Sequence, residues 1–217
     1  NMVTSFAIAI FSIIFISFFL LMEKGLLTDT ITAFFSDKYE EKIRSASLSI
    51  NKYLSRYFIG ISIESLGIAL LNGLGLVFIA KMDTELAIVV AFTSGILNII
   101  PYLGPLIGDI LAVTMGLVFH LNGGTTMGLG IYLIIILGIF IITQFIDNYV
   151  FQPIIYSNSV KAHPLEIFIV ILVAGEIGGV LGILAAVPLY TILRVILLEF
   201  LPDRKFVKRL IGDDLNQ

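Results

Sequence analysis

Leu97-Asn98-Ile99-Ile100-Pro101-Tyr102-Leu103-Gly104-Pro105-Leu106-Ile107-Gly108-Asp109 lies inside an apolar run that reaches from Leu86 to Phe119. Two prolines and a glycine interrupt a segment that otherwise has the character of a helix. Each proline removes a backbone donor and clashes with the preceding turn. In hydrocarbon such a break leaves backbone groups unpaired, so it survives only where protein or a water-filled cavity covers it. Asn98 and Asp109 flank the break and bring polar groups to the same depth. Discontinuous helices with polar flanks are what transporter binding sites are made of. The run from 86 to 119 is 34 residues long, roughly 50 Å as one straight helix. Two shorter helices meeting at Pro101 to Pro105 as a re-entrant hairpin fit the bilayer better.

Composition agrees. Hydrophobic residues make up 58% of the chain and charged residues 13%, and the mean hydropathy is +1.05. Soluble domains carry about 25% charged residues. The expected class is an all-α, polytopic transmembrane helical protein with broken or re-entrant helices, and its first partner is the lipid bilayer. The sequence has no cysteine and a net charge of -3, which excludes disulfides and thiolate metal sites and argues against nucleic acid. The chain opens on Asn1-Met2-Val3 with no charged segment before the apolar run, so the start does not read as a signal peptide. Upstream sequence is expected.

Four regions follow from the pattern. Residues 1–22 read as a plain transmembrane span. Residues 23–57 hold six of the thirteen basic residues and show helical spacing of Tyr39, Ile43, Ala46, Ile50, Tyr53 and Tyr57. This predicts an amphipathic helix starting near Ser36-Asp37, either on the membrane surface, packed on a partner, or simply a solvated connection. Residues 58–200 form a core with breaks at 98–109 and 175–179, and 201–217 form a polar tail. Basic residues cluster in 23–57 and in 194–209, so the positive-inside rule places both in the cytoplasm. The two breaks then approach mid-membrane from opposite faces.

Several polar residues sit inside apolar stretches. Glu64 and Asn72 lie within the span 58–80. An acid at that depth costs roughly 2.5–3.5 kcal/mol on insertion scales, so Glu64 either reaches back to the interface, two turns from Arg56, or couples an ion. Gly60, Gly67, Gly73 and Gly75 in the same span predict close helix packing. Gln144, Asp147, Asn148 and Gln152 fall on one helix face before Pro153, a stripe that suits a headgroup boundary or a pore. Pro164 fits a first helical position. Gly175-Glu176-Ile177-Gly178-Gly179 is a second break with an acid in it, and Glu176 and Asp109 are candidates to meet across the two tips. No phosphate-binding glycine loop, His-Glu-x-x-His pattern or nucleophile elbow occurs, so neither an enzyme, a catalytic residue, a metal site nor a cofactor is expected.

Leu97 to Pro105 resembles the Asn-x-Ile-Pro-Tyr-x-Gly-Pro signature of the autoinducer-2 exporter-like transporters. Gln144 to Pro153 is similar to that family's Gln-x-x-Asp-Asn-x-x-x-x-Pro segment. His163-Pro164, Gly175 to Gly182 and Ala186-Val187-Pro188 resemble its C-terminal block, in the same order. The likeness covers nearly the whole chain and corresponds to the C-terminal two-thirds of a family member. It departs at Gly60-Ile61, where many members have Gly-Gln, and at Lys81-Met82-Asp83. The resemblance implies a multi-pass permease of the bacterial plasma membrane that assembles as a homo-oligomer, pentameric in some members. Members export the quorum-sensing signal autoinducer-2, and others exchange sodium or lithium for protons.

The leading expectation is a secondary transporter that exports a small polar solute or signal. Asn98, Tyr102, Asp109, Gln144, Asp147, Asn148 and Gln152 would supply hydrogen bonds. Gly104, Gly178 and Gly179 would let backbone approach cargo, with Pro101, Pro105 and Pro153 shaping the breaks. A monovalent cation/proton antiporter is the rival, with Asp109, Asp147, Glu176 and Glu64 as its candidate acids. A membrane scaffold that docks partners on 23–57 is the alternative from another class.

Overall fold

The computed structural model describes residues 25–100, 103–154, 164–204 and 207. The span read over 1–22, the Pro101-Tyr102 pair, the loop 156–163 and most of the tail lie outside them. Among the described residues there are helices and no strands.

Helix α1, Leu26–Ala33, follows Gly25 at φ 101°, a conformation that suits glycine. It was not legible in the sequence. A turn of 3-10 helix at Asp37–Tyr39, entered from extended Ser36, then opens α2 at the place the sequence predicts. Helix α2 runs Glu40–Leu74 and continues through a π-helical turn, Gly75–Ile79. Arg44 ties α1 to α2 through Asp29 at 3.1 Å, and the Thr28 and Ser47 hydroxyls meet at 2.6 Å. The whole helix from Asp37 to Ile79 is 43 residues, roughly 65 Å and about twice the hydrocarbon thickness. The basic amphipathic stretch is therefore the same helix as the span. It continues the axis of the span rather than lying across it.

Asp83 caps the next helix, its carboxylate accepting from the Glu85 and Leu86 amides at 3.1 and 3.3 Å. Helix α3 is Thr84–Leu97 and α4 is Leu103–Leu121. A Cβ at Gly104 would overlap the Leu97 carbonyl, and one at Gly108 would fall 3.2 Å from Ser94 Cβ. The two helices are thus antiparallel arms of the expected hairpin. The break is narrower than the 98–109 read from sequence, because Gly104, Pro105, Gly108 and Asp109 are already helical. Proline is tolerated in a first turn, where its missing N–H has no intrahelical partner anyway.

Helix α5 is Leu129–Ile146. It passes through a π-helical turn at Asp147–Phe151 and stays helical to Ile154, past Pro153. Helix α6 begins at Pro164 and ends at Phe200, but Gly179 inside it has φ 56° and ψ -141°. That single residue reverses the chain. Tyr190 donates to Glu166 Oε2 at 2.6 Å although 24 residues separate them. A Cβ at Gly175 would sit 3.0 Å from Ile183, and one at Gly182 would overlap the Ala174 carbonyl. A straight helix would hold Glu166 and Tyr190 roughly 36 Å apart. The second predicted hairpin is therefore present, with its break narrowed from 175–179 to Gly179.

The helix contacts repeat a plan: a long helix ending in a π turn, then a helical hairpin. Helices α2 and α5 are antiparallel, since Gly67 packs on Phe151 and Gly75 on Ile139. Gly73 likewise faces Ala91 of α3. The two hairpins consequently enter from opposite ends of the bundle. Two dry clusters lie along α2. One gathers Leu76, Ala87, Val90, Ala112, Tyr132 and Ile136. The other gathers Tyr57, Ile61, Ile167, Ile171, Ala186 and Val187, with Ile99 of the first hairpin's tip packed on it.

Candidate functional site

Between the two dry clusters, at Glu64 to Asn72 of α2, the interior turns polar. Both residues are buried, Glu64 at 3% exposure, so Glu64 points into the bundle and does not reach back to the interface. Helices α2 and α3 are held together by polar groups here. Asn98 Nδ2, at the end of α3, donates to Glu64 Oε1 at 3.3 Å. Asn72 Nδ2 donates to Ser94 Oγ at 3.0 Å, and Ser94 donates on to the Ala91 carbonyl. Ser65 Oγ donates to the Gly95 carbonyl. A Cβ at Gly95 would fall 2.5 Å from the Ser65 carbonyl oxygen, so glycine is what allows α2 and α3 to come this close.

Helix α5 supplies the opposite wall. Asp147 is fully buried and lies within hydrogen-bonding reach of Glu64. Its Oδ2 accepts from Gln152 Nε2 at 2.8 Å and from Gln144 Nε2 at 3.4 Å. The same two amides reach Asn148 Oδ1 at 3.1 and 3.2 Å. The π turn is what gathers them. An extra residue in the turn brings Asp147 and Gln152, five apart, onto one side. The stripe expected from helical spacing is real, but its acid faces the core while Asn148 is exposed.

A small polar crevice joins these walls to the first hairpin. Asn72, Ser94, Asn98, Asp109, Thr143 and Gln144 line it, with Pro105 and Gly108. It measures about 10 Å³, close to the space that one water requires. Asn72 Oδ1, Glu64 Oε2 and Asp147 Oδ1 are buried without a hydrogen-bond partner among the described residues. Unpaired acceptors at this depth are costly, and they mark where a proton, a water or a polar solute would be held.

The structure thus brings together Glu64, Asn98, Asp147, Gln144 and Gln152, with Pro105 and Asp109 across the crevice and Gly104 at the tip that carries Asn98. Asn72, Ser94 and Thr143 belong to the same layer but are not among the site residues expected from the sequence. Asn72 inside a span was the available signal, whereas serine and threonine back-bond within helices too often to stand out. Glu176, Gly178 and Gly179 stand exposed at the second hairpin's tip, outside the layer. Pro153 is exposed beyond the π turn, and Pro101 and Tyr102 are outside the described residues. Among the described residues no group of acids, histidines or cysteines has the arrangement of a metal site.

Comparison with known proteins identifies the family. The chain is 32% identical to "Putative transport protein YrrI" of Bacillus subtilis (strain 168) over 117 residues, 54% of this chain and 31% of that protein. It is 26% identical to "Putative transport protein YueF" of the same organism over 201 residues, 92% of this chain and 51% of that one. It is 27% identical to "Putative transport protein MT0215" of Mycobacterium tuberculosis (strain CDC 1551 / Oshkosh) over 191 residues, 87% and 47%. The chain therefore spans about half the length, or less, of these relatives. No solved structure matches it significantly. The family model for AI-2E family transporters matches residues 1–201, and with its broken hairpins and buried polar layer the chain belongs to that family.

Proposed function

We propose that this chain forms the core of a secondary transporter that exports a small polar solute or signal, and that the polar layer at Glu64, Asn98, Gln144 and Asp147 is where the solute is held. The observation that carries the reading is the position of that layer. Apolar clusters flank it on either side along α2, the first hairpin lines it, and the second hairpin packs on the cluster next to it. A scaffold has no use for two acids buried at the middle of an apolar bundle, where each costs folding energy. Transporters place binding groups at that level and expose them alternately to the two sides.

Among the described residues, the layer presents amide donors and carboxyl acceptors but no cationic side chain. Cargo with hydroxyl or carbonyl groups suits it. A second reading, exchange of a monovalent cation for protons, is supported by the Glu64–Asp147 contact. In orientation, the basic half of α2 faces the cytoplasm and the turn after α4 faces outward. Cysteines introduced as Leu48→Cys and Thr126→Cys, at exposed positions, should label from opposite sides of a sealed vesicle.

Transport itself is tested with the full-length protein in liposomes. Efflux of a panel of labelled small polar solutes, and of sodium, is followed with and without imposed gradients. Protein-dependent flux that falls about tenfold in Asn98→Ala/Gln144→Ala, from two lost hydrogen bonds, supports the proposal. Flux equal to that of protein-free vesicles for every probe overturns it, and sodium flux alone favours the second reading.

A further inference from the structure

Glu64 sits on the long helix of the first half and Asp147 on that of the second. Each carboxyl has one oxygen fully engaged. Asn98 donates to Glu64 Oε1, and Gln144 and Gln152 donate to Asp147 Oδ2. The remaining oxygens, Glu64 Oε2 and Asp147 Oδ1, are buried and lack any donor. An ionised carboxylate only accepts hydrogen bonds, so two of them in contact leave this junction with charge and no bond. A single proton repairs both faults: it turns one carboxyl into a donor and removes one of two like charges.

Among the described residues no basic side chain hydrogen-bonds to the free oxygens of Glu64 and Asp147. From Tyr57 to Val160 the sequence contains one basic residue apart from His120, which is Lys81, exposed in the turn after α2. The titratable and charged groups on the packed elements can be named. Helix α2 offers exposed Arg56 and buried Tyr57 two turns away, α3 offers Glu85 near its start, and α4 offers Asp109 across the crevice and His120 at its far end. Helix α6 offers Glu166, Tyr190 and Arg194, of which Tyr190 packs on the same cluster as Tyr57, and also Glu176 and Glu199.

We propose that Glu64 and Asp147 bind one proton between them, and that this proton fastens the first half of the molecule to the second. The inference rests on the transport reading for its use in a cycle but not for its chemistry. On release the O–H bond breaks and the proton passes to water. Two neighbouring carboxylates are then left charged, and their repulsion favours a conformation that parts α2 from α5 or admits water or a cation between them. Proton binding would thereby be coupled to the rearrangement that opens the layer.

The test uses purified full-length protein in detergent, so that it does not depend on cargo. Infrared difference spectra between acid and alkaline buffer should show the carbonyl band of a protonated carboxyl. The band should disappear in Glu64→Gln, in Asp147→Asn and in the double variant. Thermal stability of the wild type should fall as pH rises through deprotonation. Glu64→Gln, whose amide can donate permanently to Asp147, should stay folded and lose that pH dependence. A band and a pH profile unchanged in both single variants overturn the proposal. Should one variant not fold, the other decides. A carboxyl band without any flux in liposomes sinks the transport reading alone, whereas flux without the band sinks this one alone.

Discussion

The two hairpins share a plan and differ in what they carry. Each has a short first arm and a longer second one, and each needs a glycine beside a carbonyl of the opposite arm, Gly104 beside Leu97 and Gly182 beside Ala174. The first hairpin is embedded. Its tip packs on the second cluster through Ile99, and its inner faces present buried Ser94 and Asn98. The second hairpin is bare at its tip, where Ile177 is 83% and Leu181 77% exposed. Its polar residues, Glu166, Tyr190, Thr191 and Arg194, lie toward the base of the arms. The contrast teaches that one fold-back carries the polar layer to its tip, while the other packs through the middle of its arms and leaves its tip bare.

The largest expected effect is at the embedded hairpin. Gly104→Ala places a Cβ onto the Leu97 carbonyl, backbone against backbone, and neither atom has a flexible end that can move aside. Overpacking of this kind costs about 3 kcal/mol. The expected outcome is loss of monodisperse protein on size exclusion, or a large drop in melting temperature. A stable Gly104→Ala variant would mean that the arms are not held this tightly and would erase the contrast with the second hairpin.

Next comes the reversal at Gly179. Its φ of 56° and ψ of -141° lie in a region that residues with a Cβ enter at a cost of about 1–3 kcal/mol. Among the described residues nothing lies within 4 Å of an added Cβ, so Gly179→Ala strains the chain without a clash there. The expected result is a moderate destabilisation in a thermal melt, smaller than that of Gly104→Ala. An equal or larger loss would show that the second tip is packed as firmly as the first.

How much of this was legible in the sequence follows from the same residues. Prolines, glycines and acids inside apolar runs announced two broken helices, because hydrophobic continuity and backbone breakers are local properties. Both breaks were read too wide. A proline-glycine cluster marks where a helix is weak, whereas the helix resumes as soon as first-turn geometry tolerates proline, as it does at Pro105. The π turns at Gly75–Ile79 and Asp147–Phe151 left no sequence mark. Asp147 faces the core because it continues the buried face of Tyr132, Ile136, Phe140 and Thr143, and the π turn then brings Gln152 beside it. Nor did spacing disclose that Glu64 meets Asp147, because 83 residues separate them in the chain.

A smaller effect is expected within the layer. Asn98→Ala removes the donor to Glu64 Oε1 and leaves that oxygen buried, at a cost of about 1–2 kcal/mol. The loss should shrink when Glu64→Gln is also present, because the neutral amide asks less of its partner. Additive losses in a double-mutant cycle would show that the two side chains do not interact, and would remove the link between the first hairpin and Glu64.

Gly178→Ala is expected to change stability least, by less than about 0.5 kcal/mol. Its backbone is helical and nothing lies within reach of an added Cβ, so neither strain nor overlap opposes the methyl group. Helix propensity even favours alanine. The experiment is informative because Gly178 and Gly104 look alike in sequence, each a small residue at a break in an apolar run. If Gly178→Ala melts like the wild type while Gly104→Ala does not fold, glycine at the first tip serves packing and glycine at the second does not. A fall in flux without a fall in stability would then assign Gly178 a contact that forms only during transport. A large loss of stability would mean instead that a neighbouring surface covers this tip, and that the two hairpins differ less than a single chain shows.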